Sequence, residues 1–230
     1  MKEISVLLII VVILVGILGF KIYTSQDNQM SIGENKATTE ISKDDNKEYS
    51  REEIIKLMES GENYNNYYYK SYLGDDYTIR KFKDNKLYIE SIDEENKQIV
   101  YQDFSNNEYV GISKEKNTAI VSTLDSTKII ALDKLYYKQL MEIVKNTKYS
   151  YKFLGTENHN TLECVVISIR DIQDSNYKIW IHKESGLVAR YLLTNKLGED
   201  DINFELKLDC VTDKDVKKPN LDGYKIMNID

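Results

Sequence analysis

Three patterns of apolar residues follow one another along the chain. From Ile4 to Phe20 nearly every residue is apolar or glycine, about 17 positions against the roughly 17–25 that cross the hydrocarbon layer of a bilayer. Ile22 and Tyr23 extend the run. Small residues precede a signal cleavage site, whereas Phe20-Lys21-Ile22-Tyr23 stands here, and no Cys comes next for lipidation. The segment 1–23 is therefore read as a retained transmembrane anchor (an uncleaved signal), the alternative being an atypically cleaved signal; both export the remainder of the chain. Lys2 and the α-amino group precede the run and Lys21 follows it, so the positive-inside count favours an inner N-terminus by one charge. Residues 24–49 are Ser, Thr, Asn, Asp, Glu and Lys with almost no large apolar side chain, too little to repay the entropy of ordering, and read as a disordered tether.

A helical period begins at Ser50. Ser50-Arg51-Glu52-Glu53 is a capping box, Ile54, Ile55, Leu57 and Met58 come after it, and Gly61 is expected to stop the helix. The period then drops to two in six runs: Tyr67–Tyr69, Tyr77–Phe82, Leu87–Ile92, Gln98–Phe104, Tyr109–Ser113 and Ala119–Thr123. Gly74-Asp75-Asp76, Asp84-Asn85 and Ser105-Asn106-Asn107 lie between runs as turns, which predicts an antiparallel meander. A second helix is expected over Asp133–Thr147, capped by Asp133, with Leu132, Tyr136, Leu140, Ile143 and Val144 on one face. Five more strands are expected beyond it: Tyr149–Phe153, Leu162–Ile169, Tyr177–His182, Leu187–Leu193 and Ile202–Cys210. In the last, Ile202, Phe204, Leu206, Leu208 and Cys210 alternate with Asn203, Glu205, Lys207 and Asp209, giving one dry and one wet face.

Composition narrows the function classes. One Pro and 18 Tyr among 230 residues favour strands. A net charge of −7 leaves no basic footprint, which excludes nucleic acid as an expected partner. Residues 50–230 amount to one domain's length.

The order helix, six strands, helix, five strands, together with Trp180-Ile181-His182-Lys183-Glu184-Ser185-Gly186-Leu187-Val188-Ala189-Arg190, resembles the lipoprotein-carrier and sigma-factor-regulator (LolA/RseB-type) superfamily. Its hairpin reads like Trp-Ile-Asp-Lys-x-Thr-Gly-Leu-Pro-x-Arg; here His182 replaces the usual Asp and Val188 the usual Pro. Val211–Tyr224, with Pro219-Asn220-Leu221-Asp222-Gly223-Tyr224, is similar to the tail of membrane-anchored Gram-positive members. The resemblance implies an α+β, mostly β fold: a single strongly curved antiparallel sheet, a half-barrel, with helices on its concave face. It further implies a hydrophobic cavity that holds acyl chains in carriers and senses lipoprotein or lipopolysaccharide in regulators, without catalysis. A literal shuttle must be free, so for a tethered chain binding or sensing is the part that transfers.

Candidate chemistry is sparse. Tyr64, Tyr67, Tyr68, Tyr69 and Tyr72 read either as a platform for sugar or lipid or as ordinary packing on two sides of a strand. His159 is expected to be solvated in a turn, and His182 to share a side with Trp180. No spacing suits a metal, and no cofactor loop or nucleophile elbow occurs. Asp75, Asp76, Asp93, Glu94 and Glu95 sit in expected turns. Cys164 and Cys210 fall on strands three apart, about 14 Å at the usual spacing, beyond the roughly 7 Å a disulfide spans, so both are expected as unpaired, buried thiols; a Cys164–His182 dyad is the less favoured alternative.

Strand parity gives a ligand lining of Tyr67, Tyr69, Leu87, Ile89, Tyr101, Tyr151, Phe153, Phe204, Leu206 and Leu208. The expected function is a non-catalytic, membrane-tethered extracytoplasmic module that binds or senses a lipid or lipoprotein acyl chain. The alternative is a structural or protein-interaction subunit of a cell-envelope complex, with a filled interior and a partner on the outer sheet face. An enzyme acting on cell-wall polymer ranks third, for want of an acid–base constellation.

Overall fold

A computed structural model describes residues 47–229 apart from 74–75, 94–95 and 124–131. The expected anchor, and the expected tether up to residue 46, lie outside the described residues. No described helix is long and apolar enough to cross a membrane.

Helix α1 (Arg51–Glu62) begins where the capping box predicts: Ser50 Oγ accepts the Glu53 N–H at 3.2 Å and Glu53 Oε2 accepts the Ser50 N–H at 2.9 Å. Gly61 does not stop it. The helix runs one residue further to an Asn63 C-cap, and Gly61 lies buried in the last turn, where an added Cβ would sit 2.6 Å from the Tyr137 hydroxyl and 2.7 Å from the Gly186 carbonyl. Its role is close approach rather than chain reversal.

The strands are β1 (Asn66–Leu73), β2 (Asp76–Lys83), β3 (Lys86–Asp93), β4 (Asn96–Asp103), β5 (Glu108–Ser113) and β6 (Thr118–Thr123), then, after α2 (Leu132–Lys145), β7 (Ser150–His159), β8 (Leu162–Arg170), β9 (Asn176–His182), β10 (Val188–Asn195), β11 (Gly198–Leu208) and β12 (Lys225–Ile229). They form one open, curved sheet in the order β12-β6-β5-β4-β3-β2-β1-β11-β10-β9-β8-β7. Every pairing is antiparallel except β12 with β6. The eleven expected strands are present in the expected order; β12 is an addition. Asp84 and Asn85 both take positive φ, 47° and 63°, as a two-residue reversal between β2 and β3 demands.

Both helices pack on one face of the sheet, here called inner. Ile54 and Met58 of α1 and Leu140, Met141 and Val144 of α2 are buried against Val165, Ile167, Ile169, Ile179, Ile181, Val188 and Tyr191. The buried face of α2 thus includes Met141, while Ile143 stays at its margin; the side chains of Leu132, Asp133 and Tyr136 lie outside the described residues. Tyr49 also joins this core: its ring centroid is 5.8 Å from that of Phe153 and its carbonyl accepts the Tyr151 hydroxyl at 2.6 Å.

The outer face of β1–β6 is covered by the chain itself. After β11, Asp209 turns at φ 52° and the segment 210–224 runs as a strap across the meander. The Asn66 side chain holds Val211 from both sides, donating to its carbonyl at 3.1 Å and accepting its N–H at 3.0 Å. Lys83 meets Asp213 at 2.8 Å and Lys81 meets Asp215 at 2.9 Å. Leu221 and Tyr224 pack on Ile99, Tyr101, Val110, Ile112 and Ala119, and Lys225 N–H donates to the Asn117 carbonyl as β12 begins. The turn at Asp209 ends the alternation of β11, so Cys210 is exposed, against expectation.

Gly186 has φ 75°, and a Cβ there would lie 1.8 Å from the Leu57 carbonyl oxygen. Gly186→Ala is expected to cost more than the ~1 kcal/mol of an ordinary turn glycine and to shift the denaturant midpoint of the whole domain. For the strap, the Thr212 hydroxyl and Lys81 hold the Asp215 carboxyl well below the ordinary carboxylate range. Its contribution is present above about pH 4 and lost as the pH falls through the depressed folded value. Amide-exchange protection of β12 should therefore drop in acid, and Asp215→Asn should show that loss already at neutral pH.

Candidate ligand-binding site

Cross-strand register sorts the inner face of the meander into three rows. Tyr67, Phe82, Leu87, Gln102, Tyr109 and Ser122 form the first; Tyr69, Arg80, Ile89, Val100, Gly111 and Ile120 the second. The third is Ser71, Thr78, Ser91, Gln98, Ser113 and Thr118, hydroxyls and an amide throughout, with Thr78 Oγ1 and Ser91 Oγ 3.2 Å apart. Apolar lining is thus confined to the end of the sheet that carries the β9–β10 turn. There Tyr67, Tyr69, Phe82, Leu87, Ile89, Leu187 and Leu206 are buried together. Tyr67 stacks on Phe82 at 5.2 Å and meets Tyr69 edge-on at 5.3 Å; Tyr69 lies 5.1 Å from Phe204.

A cavity of about 240 Å³ opens beside this cluster, lined by Gly61, Glu62 and Asn63 of the α1 terminus, Tyr67 and Tyr69 of β1, Tyr137 and Lys138 of α2, and Leu187. The Tyr137 hydroxyl lies 2.6 Å from both the Met58 and the Gly186 carbonyl oxygens, and burial keeps the phenol protonated as the donor. Tyr69 donates to the Val188 carbonyl at 3.0 Å. The cavity therefore has an apolar, aromatic floor and a rim bearing one carboxylate and one ammonium group. In the same row as Tyr67, the buried Gln102 Oε1 has no hydrogen-bond partner among the described residues.

Of the ten residues that parity selects, Tyr67, Tyr69, Leu87, Ile89 and Leu206 come together in this cluster, with Phe204 and Leu208 at its border. Tyr151 and Phe153 lie on the same face but under the helices, in the filled core. Tyr101 is placed on the opposite face: it pairs with Tyr88 and Val110 and packs beneath the strap. Apolar residues on both faces of β4 leave alternation without a sign there. Only Tyr67 and Tyr69 reach the cavity; its helix-end residues carry no periodic signal, and the one clue to Tyr137 is its place beside the expected face of α2.

His182 is buried, and His159 is partly covered. His159 ends β7 half-buried, its ring centroid 6.4 Å from Trp180, and burial followed by the Arg190 charge lowers its pKa. Cys164 and His182 are register partners, yet burial pushes the Cys164 thiol up to about 12, which removes the thiolate a nucleophile needs. Both cysteines are unpaired. His182 instead organises the β9–β10 turn. Its Nδ1 accepts the Ser185 N–H at 3.3 Å and lies 2.9 Å from Ser185 Oγ, which in turn accepts the Leu187 N–H at 3.2 Å. Among the described residues no group of three His, Cys, Asp or Glu is placed to hold a metal.

No protein-family model and no curated protein sequence matches the chain. Several solved structures resemble it in layout. LprF from Mycobacterium bovis is 9% identical with a TM-score of 0.46, covering 74% of this chain and 96% of that one. MucB in the MucA/MucB complex of Pseudomonas aeruginosa is 11% identical with a TM-score of 0.40, covering 74% of this chain and 61% of that one, so the chain spans less than two thirds of MucB. A LolA superfamily protein from Nitrosomonas europaea is 11% identical with a TM-score of 0.27, covering 71% and 96%. At these identities and TM-scores no family, ligand or role transfers; what the chain itself shows is an open sheet with both helices packed on one face.

Burial lowers the His182 pKa from 6.5, so the neutral ring stabilises the fold above that value and the benefit is lost as the pH falls from about 6.5 through the depressed folded value. Chemical denaturation at pH 7 and pH 5 should show a loss of stability on acidification that is reduced in His182→Asn, which keeps an acceptor for Ser185. Burial also lowers the His159 pKa, so His159 contributes to the same loss.

Proposed function

We propose that the chain is a membrane-tethered, extracytoplasmic binding or sensing module for the acyl chain of a lipid or lipoprotein, and that it does no catalysis. The observation that carries this reading is the cavity where the α1 terminus meets the apolar rows of the inner face, floored by Tyr67, Tyr69, Tyr137 and Leu187. Its volume of about 240 Å³ is below the roughly 300–1,000 Å³ of pockets that enclose a whole small ligand. The site takes the end of a chain, with Lys138 at the rim to meet a carboxylate or phosphate outside.

A second reading, an interaction subunit of an envelope complex, draws on one observation. Strand β7, ten residues long, ends the sheet, and its outer edge has no neighbouring strand among the described residues. The strap occupies the outer face of β1–β6, so a partner has the β7 edge or the outer face of β7–β11 to use.

Native mass spectrometry of the full chain and titration with a fluorescent fatty acid test the first reading. Co-purified lipid and saturable uptake are expected, and Lys138→Trp, which crowds the mouth from the rim, should weaken uptake without changing the thermal midpoint. A lipid-free chain with no saturable uptake would instead favour the interaction subunit.

A further inference from the structure

The two most exposed large apolar side chains among the described residues, Ile172 at 77% and Leu197 at 92%, stand on neighbouring turns. Ile172 is in the β8–β9 turn and Leu197 in the β10–β11 turn. Register puts both turns at one end of the sheet, since Ser150, Arg170, Asn176, Thr194 and Glu199 form a single row across β7–β11. An open cleft of about 450 Å³, lined by Arg170, Asp174, Asn176, Thr194, Asn195 and Lys196, separates the tips. The chain enters the domain at this same end: Arg51 donates to the Asn146 carbonyl at 2.9 Å and to the Tyr149 carbonyl at 2.6 Å, one residue before that row begins. Forty-six residues precede the first described one, and they include the apolar run Ile4–Phe20.

From this placement we infer that the β8–β9 and β10–β11 tips are a membrane-docking surface, with Ile172 and Leu197 entering the boundary between headgroups and acyl chains of the bilayer that holds the N-terminal segment. The inference rests on the tethered reading. A single exposed aliphatic residue is ordinary; two on adjacent tips, at the end from which the chain leaves toward its anchor, are placed as interfacial side chains are. Twenty-six residues, 24–49, lie between the apolar segment and the helix that opens the domain, a length whose maximum reach of roughly 90 Å lets the tips meet the lipid surface. Charge does not drive the contact. Arg170 is engaged with Asp174 at 3.3 Å, and Lys196 is offset by Glu199 and Asp200 nearby, so the surface suits zwitterionic lipid as well as anionic lipid.

The test uses the full chain reconstituted in phosphatidylcholine vesicles, with an environment-sensitive dye on Leu197→Cys in a Cys210→Ser background. Cys164 is buried and stays unlabelled. The same dye on native Cys210, exposed at the opposite end of the sheet, is the control. Docking predicts blue-shifted emission and quenching by spin-labelled lipid at position 197, absent at 210, diminished by Ile172→Ser and unchanged when phosphatidylglycerol is added. An unquenched dye at 197 in a chain that resists alkaline carbonate extraction overturns the docking surface and leaves the tether standing. A chain released by carbonate overturns the tether, and the dye signal of that chain with added vesicles still decides docking: quenched upholds it, unquenched ends it.

Discussion

The rest of the structure depends on one close approach, that of the last turn of α1 to the β9–β10 turn. Gly61 and Gly186 remove the two Cβ atoms that would hold these backbones apart, and the Tyr137 hydroxyl sits between them, 2.6 Å from a carbonyl of each. A turn, a helix end and a second helix therefore meet at one point. A buried carbonyl that loses a donor costs about 1–3 kcal/mol, so the phenol and the glycines reinforce one another: without the glycines the two backbones stay apart, and without the phenol the Gly186 carbonyl loses its side-chain donor. This junction fixes α1 and α2 over β7–β10 and makes the α1 terminus a wall of the cavity.

Both faces of the sheet are explained by the groups that cover them. Under the helices the inner face is filled with aliphatic side chains. Beyond them it passes through the aromatic rows of Tyr67 and Tyr69 to the hydroxyl row of Ser71, Thr78 and Ser91. An apolar ligand has only the first two rows to use, and the cavity lies against them. On the outer face, the strap supplies Leu221 and Tyr224 to cover Tyr101, Val110 and Ala119, which would otherwise present an apolar surface to water. Its ionic contacts with Lys81 and Lys83 are partly exposed and add little by themselves; packing and the Asn66 clasp hold it.

The same division sets how much of the structure is legible in the sequence. Element order is readable because the period changes sharply at Ser50, after Gly61 and again around α2, and because Asn and Asp at positive φ mark the reversals. The face a residue joins is readable only where one face is wet. In β11 charged residues alternate with Phe204 and Leu206, and the assignment holds; in β4 Ile99, Val100 and Tyr101 are consecutive, and parity puts Tyr101 on the wrong side. Strand β12 escapes because five mostly exposed residues offer no amphipathic pattern. The cavity is half legible. Tyr67 and Tyr69 announce themselves by alternation, whereas Gly61, Asn63 and Lys138 are set beside them by the junction of α1, α2 and the β9–β10 turn, a tertiary fact with no local signature.

The placement of α1 also bears on how binding at the cavity could be felt elsewhere. The helix has 12 residues and so spans about 18 Å, from the entry of the chain at Ser50 to the cavity wall at Gly61 and Asn63. Its first turn is bound through Arg51 to the carbonyls of Asn146 and Tyr149, beside the row that carries the β8–β9 and β10–β11 tips. A ligand that needs more room than the cavity provides has two options. It can separate Gly61 from Gly186, which costs the contact on which the junction depends, or it can shift α1 as a body. A helix is stiff along its axis, so a shift of its last turn reaches its first turn and disturbs the Arg51 contacts where the chain enters the domain. On the proposed reading this is the physical difference between a carrier, which needs only a trough, and a sensor, which needs the trough wired to the end of the domain nearest the membrane.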